Sequence, residues 1–379
     1  WSPAIGTYST WGELIDALNI LAPIIDDKPE NIRALELRGQ SYIALENFSK
    51  ALETYETLIE LDPNNSTYFT QKGFCYSSNN NLDKALVDYN KAVAVEPENS
   101  YNYELRGDFY GDYLNDYDKA LEDYNKGIEL NPTDPDLHFS KALTYQNKIN
   151  KPDLALASYL EVERLDPEYK YINNNIAQLY RIHIKDYQKA LVYYTKEIEL
   201  HPSDAYAYRN RAILYTNKLE DLDKALVDLN KAIDVEPENS YNYEMRGDFH
   251  RDYLNDYDKA LKDFNKGVAL NPKDEDLYFI IAHVYTEYFN NPKLALETLK
   301  KMLEFETLET ILDSTYLYAD IADIYLINLN DPENSLLFYK KEVERSPQSY
   351  YGYFKLAEYY VYYNDYEKAE IKYKKALEL

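Results

Sequence analysis

Along most of the chain, packing residues recur at i, i+3, i+4 and i+7, the spacing of one face of an α-helix. In SYNYELRGDFYGDYL, residues 100–114, the stripe is Tyr103, Arg106, Gly107 and Tyr110. In DYDKALEDYNKGIEL, residues 116–130, it is Ala120, Leu121, Tyr124, Gly127 and Ile128. The spacing predicts two amphipathic helices joined by NDYD and closed by NP. Asn99 or Ser100 is placed to cap the first helix and Asp116 the second, each accepting backbone N–H bonds. In three sister segments Pro152, Pro292 and Pro332 stand at the start of the second helix, where a missing N–H costs little. Asn291 and Asp331 precede two of them as caps.

The same unit recurs with a period of 34 to 35 residues. Its first helix carries a small residue at Gly39, Gly73, Gly107, Ala142, Ala177, Ala212, Gly247, Ala282, Ala322 and Ala357. Three residues on comes a tyrosine, or His250 in one case. The second helix carries Ala51, Ala85, Ala120, Ala155, Ala190, Ala225, Ala260, Ala295, Ser335 and Ala369, with an aromatic or Leu four residues later. Small residues let helices approach while large ones fill the space between them. A single pair cannot bury its apolar face alone, so neighbours must stack.

This pattern resembles the tetratricopeptide repeat family. The resemblance implies an all-α fold, a right-handed superhelical solenoid of antiparallel helix pairs. It covers ten repeats at residues 32–65, 66–99, 100–134, 135–169, 170–204, 205–239, 240–274, 275–314, 315–349 and 350–379, expected to form one continuous solenoid after a lead-in and half-repeat helix over 1–31. The chain departs from the family in three ways. The usual Trp of the first helix is replaced, for example by Tyr103 and Tyr243. Several repeats hold one extra residue, mostly at the turn between helices, and LEFETLETILDST after Met302 adds about five. Glu197 and Glu342 stand at a normally small packing position, so looser or more exposed joints are expected there.

Residues 96–132 and 236–272 are nearly the same text, with about 30 of 37 positions identical. Repeats two to five resemble repeats six to nine, which points to duplication of a four-repeat block.

Lys plus Arg total 41 and Asp plus Glu 67, a formal net charge of −26. Such a charge argues against nucleic acid and anionic membranes and permits neutral or basic protein partners. Cys75 is the only cysteine, so no internal disulfide forms, and its place in an apolar pattern reads as a buried, inert thiol. No apolar run is long enough to insert in a membrane. The sequence starts at Trp1 rather than Met, and Asn47, Asn64 and Asn65 open glycosylation sequons. Together these favour an extracellular or cell-surface location over a cytoplasmic one.

No catalytic constellation, phosphate loop or dinucleotide fingerprint is present, so no enzyme activity, cofactor or metal is expected. His250 reads as a core histidine. The carboxylates Asp112, Asp116, Asp118 and Asp123, repeated as Asp252, Asp256, Asp258 and Asp263, lack calcium-loop spacing and read as caps and solvated charge. Most of the 43 tyrosines occupy packing positions. A second set does not: Tyr101, Tyr171, Tyr206, Tyr241, Tyr316 and Tyr351, near the start of first helices. The resemblance places that face on a peptide-binding groove, with Asp108 and Asp248 beside it. Acidic residues there disfavour the family's carboxylate clamp. The leading expectation is a non-enzymatic scaffold whose tyrosine-rich, acidic groove holds a neutral or basic protein or peptide. The alternative is a subunit of a head-to-tail filament, self-associating through Trp11, Leu14, Ile15 and Leu18 at one end and Tyr373, Ala376, Leu377 and Leu379 at the other.

Overall fold

The structure, a computed structural model, describes residues 11–303 and 316–379. Every regular element among the described residues is helical. The chain divides after Leu200 into two compact units. The first contains α1 (Trp11–Asp27), α2 (Ile32–Ala44), α3 (Phe48–Leu61), α4 (Ser66–Ser78), α5 (Leu82–Val95), α6 (Ser100–Asp112), α7 (Tyr117–Leu130), α8 (Pro135–Leu143), α9 (Pro152–Leu165), α10 (Ile172–Leu179) and α11 (Tyr187–Leu200). The second contains α12 (Ala205–Leu214), α13 (Leu222–Val235), α14 (Ser240–Asp252), α15 (Tyr257–Leu270), α16 (Glu275–Glu287), α17 (Pro292–Met302), α18 (Leu317–Asp323), α19 (Pro332–Arg345), α20 (Tyr350–Tyr362) and α21 (Tyr366–Glu378). From α2 onward the helices pair in sequence, each first helix packing most heavily on the second helix that follows it. Much of the LEFETLETILDST insertion lies outside the described residues.

Caps fix the helix starts. Asn99 Oδ1 accepts from Tyr101 N (3.1 Å) and Asp116 Oδ1 from Lys119 N (3.2 Å). Asn291 and Asp331 cap α17 and α19 through the N–H groups of Leu294 and Asn334, with Pro292 and Pro332 as first residues. Inside each pair the turn contains one residue in the left-handed region, at Glu46, Asn80, Asn115, Asn150, Lys185, Glu220, Asn255, Asn290, Asn330 and Asn364. Seven of these ten are asparagine, the non-glycine residue that tolerates this conformation best.

The extra residue of the longer repeats sits in this turn. In three repeats the N–H of the residue after the left-handed one closes on a carbonyl five residues back, as Asn47 N to Tyr42 O, Asn81 N to Tyr76 O and Asp365 N to Tyr360 O. In the other seven the same bond reaches back six residues, as Asp116 N to Tyr110 O and Asp256 N to His250 O. Four of those seven absorb the residue as a single π-helical turn, at 144–148, 180–184, 215–219 and 324–328.

Small residues are where helices meet. A Cβ added to Gly107 would stand 2.7 Å from Tyr124 Cε1, and one on Gly247 would stand 2.5 Å from Phe264 Cε1. Between repeats, sizes are matched across the joint: Gly127 faces Leu137, and Gly267 faces Leu277. This matching corrects the expectation for the two glutamates. Glu197 and Glu342 are not exposed but 1% and 2% accessible. Gly352 makes room for the Glu342 side chain, and Glu342 Oε2 accepts from Ala319 N (3.3 Å). Cys75 is fully buried, and burial pushes its thiol up to about 12.

Candidate interaction face

Tyr101, Tyr206, Tyr241 and Tyr316 are exposed by 37–50% of their surface, and Tyr351 is half-buried. All stand on or just before the first turn of a first helix. Tyr171 is also exposed, but it lies before α10 in the left-handed conformation, so its backbone is a helix entry rather than helix. The rings of Tyr316 and Tyr351 touch, with centroids 3.8 Å apart. Arg209 lies between Tyr206 and Tyr241, 5.8 and 5.6 Å from the two ring centres.

Carboxylates accompany these rings. In α6, Glu104 is 7% exposed and Asp108 half-buried. Burial, with Asp108, Asp134 and Asp136 nearby, pushes the Glu104 carboxyl up to about 8. Burial pushes Asp108 up to about 6, against the bond it accepts from the Tyr124 hydroxyl (2.8 Å). A cavity of about 240 Å³ opens at Asp108, Gly111, Asp112, Tyr124 and Thr144. In α14, Glu244 and Asp248 occupy the matching places, and Tyr241, Glu244, Asp248, Asp252 and Tyr253 line a cavity of about 330 Å³. On the same helix Arg251 places Nη2 2.9 Å from Asp248 and Nε 2.6 Å from Asp252.

A second polar row was missed in the sequence. Arg106 holds Asp123 through two bonds of 2.8 and 2.7 Å; Arg211 holds Asp228 and Arg246 holds Asp263 in the same way. These aspartates are buried, so reading Asp123 and Asp263 as solvated charge was wrong. The signal was available as a constant separation of 17 residues between Arg and Asp. Asp116 and Asp256 do serve as caps. His250 is buried beside Asp263, and burial lowers its pKa. Among the described residues no group of His, Cys, Asp or Glu is arranged to hold a metal ion.

The residues assigned to the chain ends divide. Trp11, Ile15, Leu377 and Leu379 are exposed, Leu18, Tyr373 and Ala376 are half-buried, and Leu14 is buried. Tyr373 packs its ring on Phe354 of its own repeat. Asn47 and Asn64 are exposed and Asn65 is half-buried; Asn47 and Asn65 cap α3 and α4. No helix among the described residues is long and apolar enough to cross a membrane.

Tetratricopeptide repeat families match residues 32–65, 54–87 and 241–274, and a TPR repeat family matches 113–148. These matches support the tetratricopeptide repeat family for the chain. The TPR fold is likewise seen in the C-terminal part of a TPR repeat-containing protein from Cytophaga hutchinsonii. That structure is 19% identical over 65% of this chain and 98% of its own, with a TM-score of 0.52. A tetratricopeptide repeat protein from Parabacteroides merdae is 20% identical over 67% of this chain and 98% of its own, with a TM-score of 0.48. Yeast Tom70 is 17% identical over 97% of this chain and 89% of its own, with a TM-score of 0.43. No curated protein matches the chain in sequence. TPR folds generally bind proteins or peptides and are typically non-enzymatic scaffolds.

Proposed function

We propose that this TPR chain is a non-enzymatic scaffold that holds neutral or basic protein segments on the tyrosine-bearing first helices within each of its units. The observation that carries this reading is the recurrence of exposed tyrosine at one position of the repeat, at Tyr101, Tyr206, Tyr241 and Tyr316, with Glu104 and Asp108 following Tyr101 and Glu244 and Asp248 following Tyr241. Tyrosine offers a large, stiff contact surface with a polar tip, which suits an interface. The carboxylates repel acidic segments and attract basic ones. The Arg–Asp pairs support the reading indirectly, because they fix the helices that carry the face without occupying it.

Short peptides selected by display on the whole chain test this. Combining Tyr101→Ala with Tyr241→Ala should weaken the selected peptides by about tenfold or more. Unchanged affinity would move the binding face elsewhere.

A further inference from the structure

Three of the TPR first helices carry aspartate one residue after the small packing position: Asp108, Asp248 and Asp323. Two of the three have an ion-pair partner among the described residues. Asp248 has Arg251, whose guanidinium also reaches Asp252. Asp323 has the Lys355 ammonium at 2.9 Å and accepts from the Tyr339 hydroxyl. Asp108 has the equivalent tyrosine hydroxyl, from Tyr124, but among the described residues no ammonium or guanidinium lies within salt-bridge distance of it. Its neighbour one turn earlier, Glu104, is 7% exposed and has no hydrogen-bond or ion-pair partner among the described residues, while Asp108, Asp134 and Asp136 face it. A buried carboxylate without a partner is costly, and a cation would relieve it.

Repeat seven shows where such a cation goes. Arg251 corresponds to Gly111 in repeat three, 140 residues earlier in near-identical sequence. An added Cβ at Gly111 would make ordinary contacts with Ala120 Cβ (3.7 Å) and the Tyr124 hydroxyl (3.9 Å), so a side chain is accommodated there without a clash at Cβ, and the position lines the cavity of about 240 Å³. Lys148 also lines this cavity, but its ammonium lies 5.9 Å over the Tyr117 ring. Asp108 and Asp112 stand one helical turn apart, as Asp248 and Asp252 do where one guanidinium bridges them.

We propose that the cavity at Asp108 and Asp112, one helical turn beyond Glu104, takes the side chain of an arginine from a bound peptide, whose guanidinium pairs with these carboxylates in repeat three as Arg251 pairs with Asp248 and Asp252 in repeat seven. This rests on the peptide-scaffold reading above and adds a residue-level specificity to it. A planar guanidinium, with donors in a fixed fork, suits two carboxylates one turn apart better than a point-charge ammonium.

The test uses peptides selected by display on the whole chain and measured by fluorescence polarisation. The selected peptides should share an arginine. Replacing it by alanine should weaken binding by about 10- to 100-fold, and by lysine less. Gly111→Arg, which supplies the cation internally, should weaken the parent peptide as much as loss of its arginine. Glu104→Gln with Asp108→Asn gives the same readout should Gly111→Arg fail to fold. If the peptides lose affinity on Tyr101→Ala yet tolerate loss of arginine, or bind Gly111→Arg equally well, the arginine site falls and the scaffold reading stands. Displacement by calcium but not by free arginine would make the cavity a metal site and also overturn the proposal. If no peptide is selected at all, both readings fall.

Discussion

Repeats three and seven are the same text with seven changes, so each serves as the other's control. Their framework is the same: Arg106 on Asp123 and Arg246 on Asp263 match to within 0.1 Å, and Asn102 and Asn242 each bond the preceding helix through the carbonyls of Ala92 and Ala232. Three of the seven changes alter charge. Gly111 becomes Arg251, Glu122 becomes Lys262 and Glu129 becomes Ala269, making repeat seven four units more positive. Tyr124 becomes Phe264, which removes the hydroxyl that Asp108 accepts from; in repeat seven Asp248 has an ion pair with Arg251 instead. Tyr110 becomes His250, which joins Arg246, Lys259 and Lys262 around a cavity of about 320 Å³. A duplicated scaffold has thus kept its packing and redistributed its charge, pairing one set of carboxylates with an arginine of its own helix and leaving the other set without that arginine.

The largest effect should come from the shared framework. Asp123→Ala strands a largely buried guanidinium, and Asp263→Ala does the same. Each should cost about 3 kcal/mol in urea unfolding. A large loss in one repeat and none in the other would break the equivalence of the two frameworks.

Overpacking comes next. Gly107→Leu and Gly247→Leu push a side chain into Tyr124 and Phe264, where even a Cβ is too close. Each should cost roughly 1–3 kcal/mol in the same measurement. A variant that melts like the wild type would show that the repeat register is misplaced.

The smallest effect separates the two faces by pH. Glu104 has its folded pKa raised from 4.5 to about 8. A carboxyl raised in this way favours the folded state while protonated, so its contribution is full below the unfolded value and is lost as pH rises through about 8. Glu104→Gln stays neutral. It should match the wild type near pH 4 and exceed it near pH 9 by about 1–2 kcal/mol. The half-buried Glu244, raised by burial and by Asp248, should give a smaller gain on Glu244→Gln. Equal gains would remove the contrast between the faces.

Much of the fold was legible because it is local. The caps at Asn99, Asp116, Asn291 and Asp331, the prolines at 152, 292 and 332 and the small–aromatic pairs each follow from a few adjacent residues. The two buried glutamates were misjudged because their tolerance depends on a partner in the next repeat, as Gly352 shows for Glu342. The Arg–Asp row was missed for a related reason: a carboxylate in a charged run looks solvated until the opposing helix brings a guanidinium to it. The tyrosine face was visible as a periodic excess. The openness of the Asp108 cavity was not, because it depends on what Gly111 lacks, and only its counterpart Arg251 makes that absence meaningful.

The contrast between the two faces is tested most directly by counting bound peptides in isothermal titration. An arginine-bearing peptide selected on the wild type should bind once per chain. It should bind about twice on Arg251→Gly, where a second carboxylate pair is uncovered, and measurably less on Gly111→Arg. A stoichiometry that stays at one on Arg251→Gly, together with undiminished binding to Gly111→Arg, would contradict the account.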